Sequence, residues 1–197
     1  NMTKDINQLQ QNGISLLKEL IATPSFSKEE DQTASIIGKF FALKSIAATR
    51  VGNNIFALNK HFDETKPTIL LNSHHDTVKP NPQYTKDPFS PIVEGDKLFG
   101  LGSNDAGGCL VSLISTFLYF YDNADLKYNI IIAATAEEEI SGTGGIEYTL
   151  SYLPRIDCAI VGEPTQMQMA VAERGLMVLD CTSHGKAGHA ARNEGEN

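Results

Sequence analysis

Short apolar runs that stop abruptly on ligand-type side chains constrain this chain more than any other feature. Residues 69–71 are a continuous apolar run of the kind that forms a buried strand in a parallel sheet, and Asn129–Thr135, apolar from 130 to 134, reads as the next buried strand. Residues 159–161 form a third such run. The first is followed by His74 and Asp76, the second by Glu137, Glu138 and Glu139, and the third by Glu163. In open α/β sheets chemistry gathers where strands release their carboxyl ends. The predicted fold is therefore α/β, a doubly wound and mostly parallel sheet with helices on both faces.

The helices are legible by spacing. Ile6, Leu9, Ile14, Leu16, Leu17, Leu20 and Ile21 recur at a helical period, and Pro24 ends that helix. Ser27 and Glu30 have the spacing of a capping box for a second helix, which turns Ala34, Ile37, Phe40 and Phe41 inward. Residues 50–51 and 55–58 flank Gly52-Asn53-Asn54 as a hairpin. All of this amino-terminal part reads as architecture without chemistry. A long loop then runs through Pro80, Pro82, Pro88 and Pro91. Residues 92–93 and 98–99 form a second hairpin around Gly95-Asp96, predicted to return the chain toward the sheet.

Composition narrows the classes. Hydrophobic residues make up 41% of the 197 and charged residues 20%, enough for an ordinary core. A net charge of −8 argues against nucleic acid or anionic membrane as partners. Cys109, Cys158 and Cys181 are odd in number and widely spaced, which fits neither a disulfide framework nor a clustered zinc site. They read as reduced, buried thiols in a cytoplasmic protein. The apolar stretch 110–121 is shorter than the ~20 residues that span a bilayer. Residues 1–12 lack the apolar core of a signal peptide, and Asn1 before Met2 reads as an expression-tag remnant.

Taken singly, each polar group has an ordinary reading. His74 and Asp76 could cap a strand end, and Asp105 could cap the helix predicted at about 109–121. The three glutamates could open a helix, and Glu163, kept extended by Pro164, could be a turn acid. The glycine-rich stretch 100–108 could suggest a phosphate cradle. However, the dinucleotide fingerprint wants glycine where Asp105 sits, and the P-loop lysine is absent. Together, one histidine and three carboxylate clusters suggest a site for a pair of divalent metals. Zinc accepts such ligands, and a bridging Asp can hold two ions about 3.5–4 Å apart. A spare Glu beside the shared water would be the general base, and hydrolysis of an amide is the predicted reaction.

From about residue 70 to 197 the chain also resembles the co-catalytic zinc amidohydrolases, the family of acetylornithine deacetylase, succinyl-diaminopimelate desuccinylase, carboxypeptidase G and aminoacylase. His74-His75-Asp76-Thr77-Val78 is similar to that family's His-x-Asp-x-Val box, and residues 100–108 to its bridging-Asp box. Glu137-Glu138-Glu139, Gly162-Glu163-Pro164-Thr165 and Gly188-His189-Ala190 resemble three further boxes. The resemblance implies two Zn2+ (Co2+ or Mn2+ as substitutes), with His74 and Glu163 on one ion, Glu139 on the other and Asp105 bridging. It implies Glu138 as the base, Asp76 as the group that orients His74, and His189, rather than His184, as an oxyanion-steadying residue shared across a homodimer.

The implied substrate is an N-acetyl or N-succinyl amino acid, N-acylornithine first, in arginine biosynthesis. The runner-up is a di- or tripeptidase or carboxypeptidase, and a further alternative is a catalytically incomplete metal-binding fragment. Residues 1–175 would be the amino-terminal part of the catalytic domain and 176–197 the start of an inserted α+β lid. Leu101, Ala106 and Gly107 depart from the Arg and Met-Lys frequent in the bridging box, and Arg192 from a common Pro. The family's last zinc ligand, a histidine, lies beyond the matched boxes. The expectation is therefore a fragment inactive by itself.

Overall fold

The computed structural model describes residues 5–172 together with Gly175, Met177, Leu179, Cys181 and Thr182. The chain divides into two units, Asn1–Pro164 and Thr165–Asn197. In the second, a turn is closed by Gln168 N donating to Thr165 O. The predicted lid segment 176–197 falls mostly outside the described residues, and His184 and His189 fall wholly outside them.

The elements of the first unit follow in chain order: α1 (Ile6–Ile21), α2 (Asp31–Ala42), β1 (Ala48–Val51), β2 (Asn54–Leu58), β3 (Thr68–His74), β4 (Ile92–Glu94), β5 (Lys97–Phe99), α3 (Cys109–Phe120), β6 (Asn129–Thr135), α4 (Ile146–Leu150) and β7 (Cys158–Val161). Five strands form one sheet in the order β1-β2-β6-β3-β7. β3 runs parallel to both β6 and β7, while β2 joins β6 antiparallel and brings β1 with it. The β4–β5 hairpin does not return to this sheet as predicted. It forms a two-stranded ribbon of its own.

Continuous apolar strands make sense here because both faces are covered. Ile130, Ile132 and Ala134 of β6 and Leu71 of β3 pack with α1, α2 and α3. Ile131, Ala133 and Leu70 point the other way, toward Ile146 of α4, Leu153 and Ile156. β7 is an edge strand with all four residues exposed, Cys158 among them; Cys181 is exposed and Cys109 half-buried, so the expected burial of the cysteines is not found. Phe117 of α3 is fully buried, with its ring edge-on to Phe41 at 6.0 Å and 5.6 Å from Tyr121. Phe117→Ala removes that filling from a close-packed interior, so urea denaturation should show a loss of about 3–5 kcal/mol.

The register sets up the site. Leu70 pairs with Ile131 and His74 with Thr135, so β3 and β6 end at the same level. His75 N then donates to Thr135 O, 2.9 Å away. Two sets of polar residues thus emerge side by side. The predicted capping box is not formed: α2 starts after Glu30 with no side-chain cap. Ser27 and Glu30 instead serve buried groups around those strand ends, where an unmade hydrogen bond costs more than at a solvated helix start.

Candidate metal centre

His74 closes β3 with its ring almost wholly buried. Its Nδ1 faces Asp76, 3.1 Å from the carbonyl oxygen and 3.3 Å from Oδ1. Acceptors on that side place the ring proton on Nδ1 and leave Nε2 as the ligand atom. Nε2 looks onto a ring of carboxylates: Asp105 Oδ1 at 3.1 Å, Glu138 Oε2 at 3.7 Å and Glu163 Oε2 at 3.8 Å. His74, Asp105 and Glu139 each offer one ligand atom, and these lie within 4.8 Å of one another.

Asp105 reaches the cluster on the glycine-rich turn before α3. Gly102 there has φ 73, and a Cβ on it would stand 2.7 Å from Thr77 Cγ2, so only glycine fits. Asp105 itself makes no cap, because α3 begins after Gly108 without a side-chain bond. The Asp105–Ala106 peptide is cis. Glu163 follows β7, where Gly162 is fixed to β3 by its N–H to Asn72 O (2.7 Å) and by Ser73 Oγ donating to its carbonyl (2.8 Å).

The acids after β6 form a sharp bend. Glu137 has φ 55, Ser141 has φ 49, and one short 3-10 turn, Glu138–Ile140, lies between them. Asp76 holds this bend from below: its Oδ1 accepts from Glu138 N (3.1 Å) and its Oδ2 from Glu139 N (3.2 Å) and Ser27 Oγ (2.7 Å). Burial works against the ionised Asp76, but hydrogen bonds from His74, Ser27 and those amides prevail and keep its pKa below the ordinary value. Asp76 thus touches both His74 and the backbone of Glu138 and Glu139.

Four carboxylates around one imidazole leave negative charge uncompensated. Burial, with repulsion from Glu138, Asp105 and Glu139, raises the Glu163 carboxyl to about 7, although His74 pulls it down. Burial would lower the His74 pKa, yet the hydrogen bond and charge of Asp76, then Glu163 and Glu138, raise it to about 9. Glu139 is pushed up by burial and by Asp105. Protons here stand in for a cation, and a nitrogen-and-oxygen donor set of this kind suits a divalent ion such as zinc or manganese.

A pH dependence follows. Both folded-state pKa values lie above the ordinary 4.5 and 6.5, so the folded metal-free chain holds extra protons. The stability these two groups contribute is complete below pH 4.5 and is lost as pH rises through about 7 and then about 9. Metal must displace the same protons. Calorimetric titration in two buffers of different ionisation enthalpy should give roughly two protons released per chain at pH 6 and about one at pH 8.

The sequence assigned no chemistry to several residues that support this cluster. Ser27 is one, and Glu30, Asn53 and Asn54 are others, all read as helix-capping or hairpin residues. His75 is buried and turned away from the carboxylates. Its Nε2 donates to Asn53 O and its Nδ1 lies 2.9 Å from Thr33 Oγ1, while burial lowers its pKa. Two consecutive asparagines in a turn that needs one, and a Ser-x-x-Glu just after a proline, were the available signals. On the open side, a cavity of about 500 Å³ has Asp105 and Glu139 in its wall beside apolar Val78, Pro88, Phe99 and Leu101.

Residues 70–177 match Peptidase family M20/M25/M40. Acetylornithine deacetylase of Salmonella typhimurium is 32% identical over 193 residues, covering 90% of this chain and 49% of the relative. That of Salmonella arizonae is 33% identical over the same shares. The chain spans about half the length of the curated relatives it matches. Human carnosine dipeptidase 1 superposes with a TM-score of 0.66 at 20% identity, over 80% of this chain and 39% of that one. A metallo-carboxypeptidase of Sulfolobus solfataricus gives 0.61 at 23%, over 76% and 37%. A dinuclear metal-binding peptidase of Bacillus subtilis gives 0.59 at 17%, over 79% and 43%. These structures share the fold. With the family match covering more than half of its residues, the chain belongs to Peptidase family M20/M25/M40.

Proposed function

We propose that this chain carries the metal-holding part of an amidohydrolase that cleaves N-acyl amino acids, with N-acetyl- or N-succinylornithine as the first substrate class. The observation that carries the reading is the meeting of His74, Asp105 and Glu139 within 4.8 Å, beside Glu138 and Glu163. His74 and Glu163 would hold one divalent ion and Glu139 a second, with Asp105 between them. Zinc is the first choice, and cobalt or manganese are substitutes. When bound, such a pair polarises a carbonyl and lowers the pKa of water toward neutrality.

Glu138 would be the general base. It lies 3.7 Å from His74 Nε2, on the short turn Glu138–Ile140 that also carries Glu139. Its carboxylate would take the proton from the attacking water and hand it to the leaving amine. Asp76 holds the His74 ring, and the cavity beside Asp105 and Glu139 would receive a substrate group.

The names of the 32–33% identical relatives support the deacylase over a di- or tripeptidase, and with it a place in arginine biosynthesis. The proposal includes a cytoplasmic homodimer in which His189, outside the described residues, reaches the site of a second copy. A substrate panel on the full-length, metal-loaded gene product tests the reading. N-acetyl- or N-succinylornithine should exceed unblocked di- and tripeptides in kcat/KM by about 100-fold or more. A preference for the peptides would overturn it.

A further inference from the structure

Past the last ladder bond of β6, the backbone enters the acidic bend, and four successive N–H groups there all find side-chain oxygens. Ala136 N donates to Asn54 Oδ1 (2.9 Å), Glu137 N to Glu30 Oε1 (3.2 Å), and Glu138 N and Glu139 N to the two oxygens of Asp76 (3.1 and 3.2 Å). Asn54, Glu30 and Asp76 are all completely buried. They come from three places in the chain: the β1–β2 hairpin, the start of α2 and the end of β3. Each is itself tied down. Glu30 also accepts from Lys28 N (2.6 Å) and Asn53 Nδ2 (2.9 Å), and Asn54 Nδ2 donates to Val51 O and Gly144 O.

The bend needs such holding. Glu137 at φ 55 and Ser141 at φ 49 lie in the left-handed region, which side chains other than glycine leave unless their surroundings over-determine them. Glu137's own carboxylate is enclosed by Gly142 and Gly144, whose N–H at 144 donates to it. Released from Asn54 and Glu30, residues 136 and 137 would relax, and the next two side chains would turn with them.

We propose that Glu30 and Asn54 are positioning residues for the catalytic bend, fixing the backbone of Ala136 and Glu137 and so the directions of Glu138 and Glu139. The inference rests on the proposed function for its catalytic consequence but not for its structural one. Neither side chain touches the carboxylate cluster itself, so they act through the peptide groups.

Glu30→Ala and Glu30→Gln in the full-length protein separate this role from a merely structural one. Glutamine keeps an oxygen for Glu137 N, whereas alanine removes it. Glu30→Ala should speed amide exchange at residues 136–139 about tenfold or more while the core amides of β3 and β6 stay protected. It should lower kcat about 100-fold with KM within about threefold, and Glu30→Gln should recover most of that loss. Uniformly faster exchange across the sheet, or a Glu30→Ala kcat within about twofold of the parent, overturns the proposal. If Glu30→Ala does not fold, Asn54→Ala gives the same readings one residue earlier. If the parent protein hydrolyses no amide, the functional reading fails, and the exchange pattern still decides the positioning role.

Discussion

Glu138→Gln should remove turnover while leaving bound metal in place. The change keeps size, shape and the backbone N–H that Asp76 accepts, and it deletes only the group able to take a proton. General-base catalysis contributes about 10²–10⁴ in rate, so kcat should fall by about 10³. Steady-state kinetics on the best substrate of the panel, with elemental analysis of the same sample, reads both quantities. A fall below about tenfold with full metal content would remove Glu138 from the proton transfer. Loss of metal alongside activity would make it a ligand instead.

Asp105→Ala should have the opposite signature. Its Oδ1 lies 3.1 Å from His74 Nε2, and the residue belongs to the group whose ligand atoms lie within 4.8 Å. If Asp105 bridges two ions as proposed, removing its carboxylate would weaken the hold on each. Asp105 is also among the groups that raise the Glu163 pKa, so its loss should relax Glu163 toward the ordinary carboxylate range. Chelator competition should show apparent affinity reduced well beyond the 10–100-fold typical of residues that only orient a ligand. Asp76→Asn provides that milder comparison, since it disturbs the His74 ring and the two amides without deleting a ligand. Equal metal affinity in Asp105→Ala and the parent would exclude the bridging role.

Much of this was legible in the sequence because local rules and the tertiary structure agree there. Residues 69–71 and 130–134 are apolar without alternation, and the fold buries both of their faces. The spacing from Ile6 to Ile21 marks α1 to the residue. His74, Asp105, Glu139 and Glu163 stood out because each lies at or just past the end of an apolar run or within a glycine-rich turn. Their meeting is a consequence of β3 lying between β6 and β7 in register.

What escaped the sequence is non-local. Ser-x-x-Glu before a helix has one spacing whether it caps that helix or serves a carboxylate and an amide far away. Glu30 and Glu137 are 107 positions apart, a separation no spacing rule reaches. Asn53 and Asn54 satisfied the hairpin pattern and so hid their second employment, with Glu30 and Ala136 respectively. The β4–β5 ribbon carries the residues of a strand pair, but nothing local specifies whether it joins the main sheet.

If these side chains surround a pair of ions, anomalous diffraction from crystals of the full-length protein grown with zinc will locate both. Two peaks are expected about 3.5–4 Å apart, each about 2.0–2.2 Å from its ligands among His74 Nε2, Asp105, Glu139 and Glu163. Zinc bound elsewhere, with no peak within bonding distance of His74 Nε2, would contradict this arrangement.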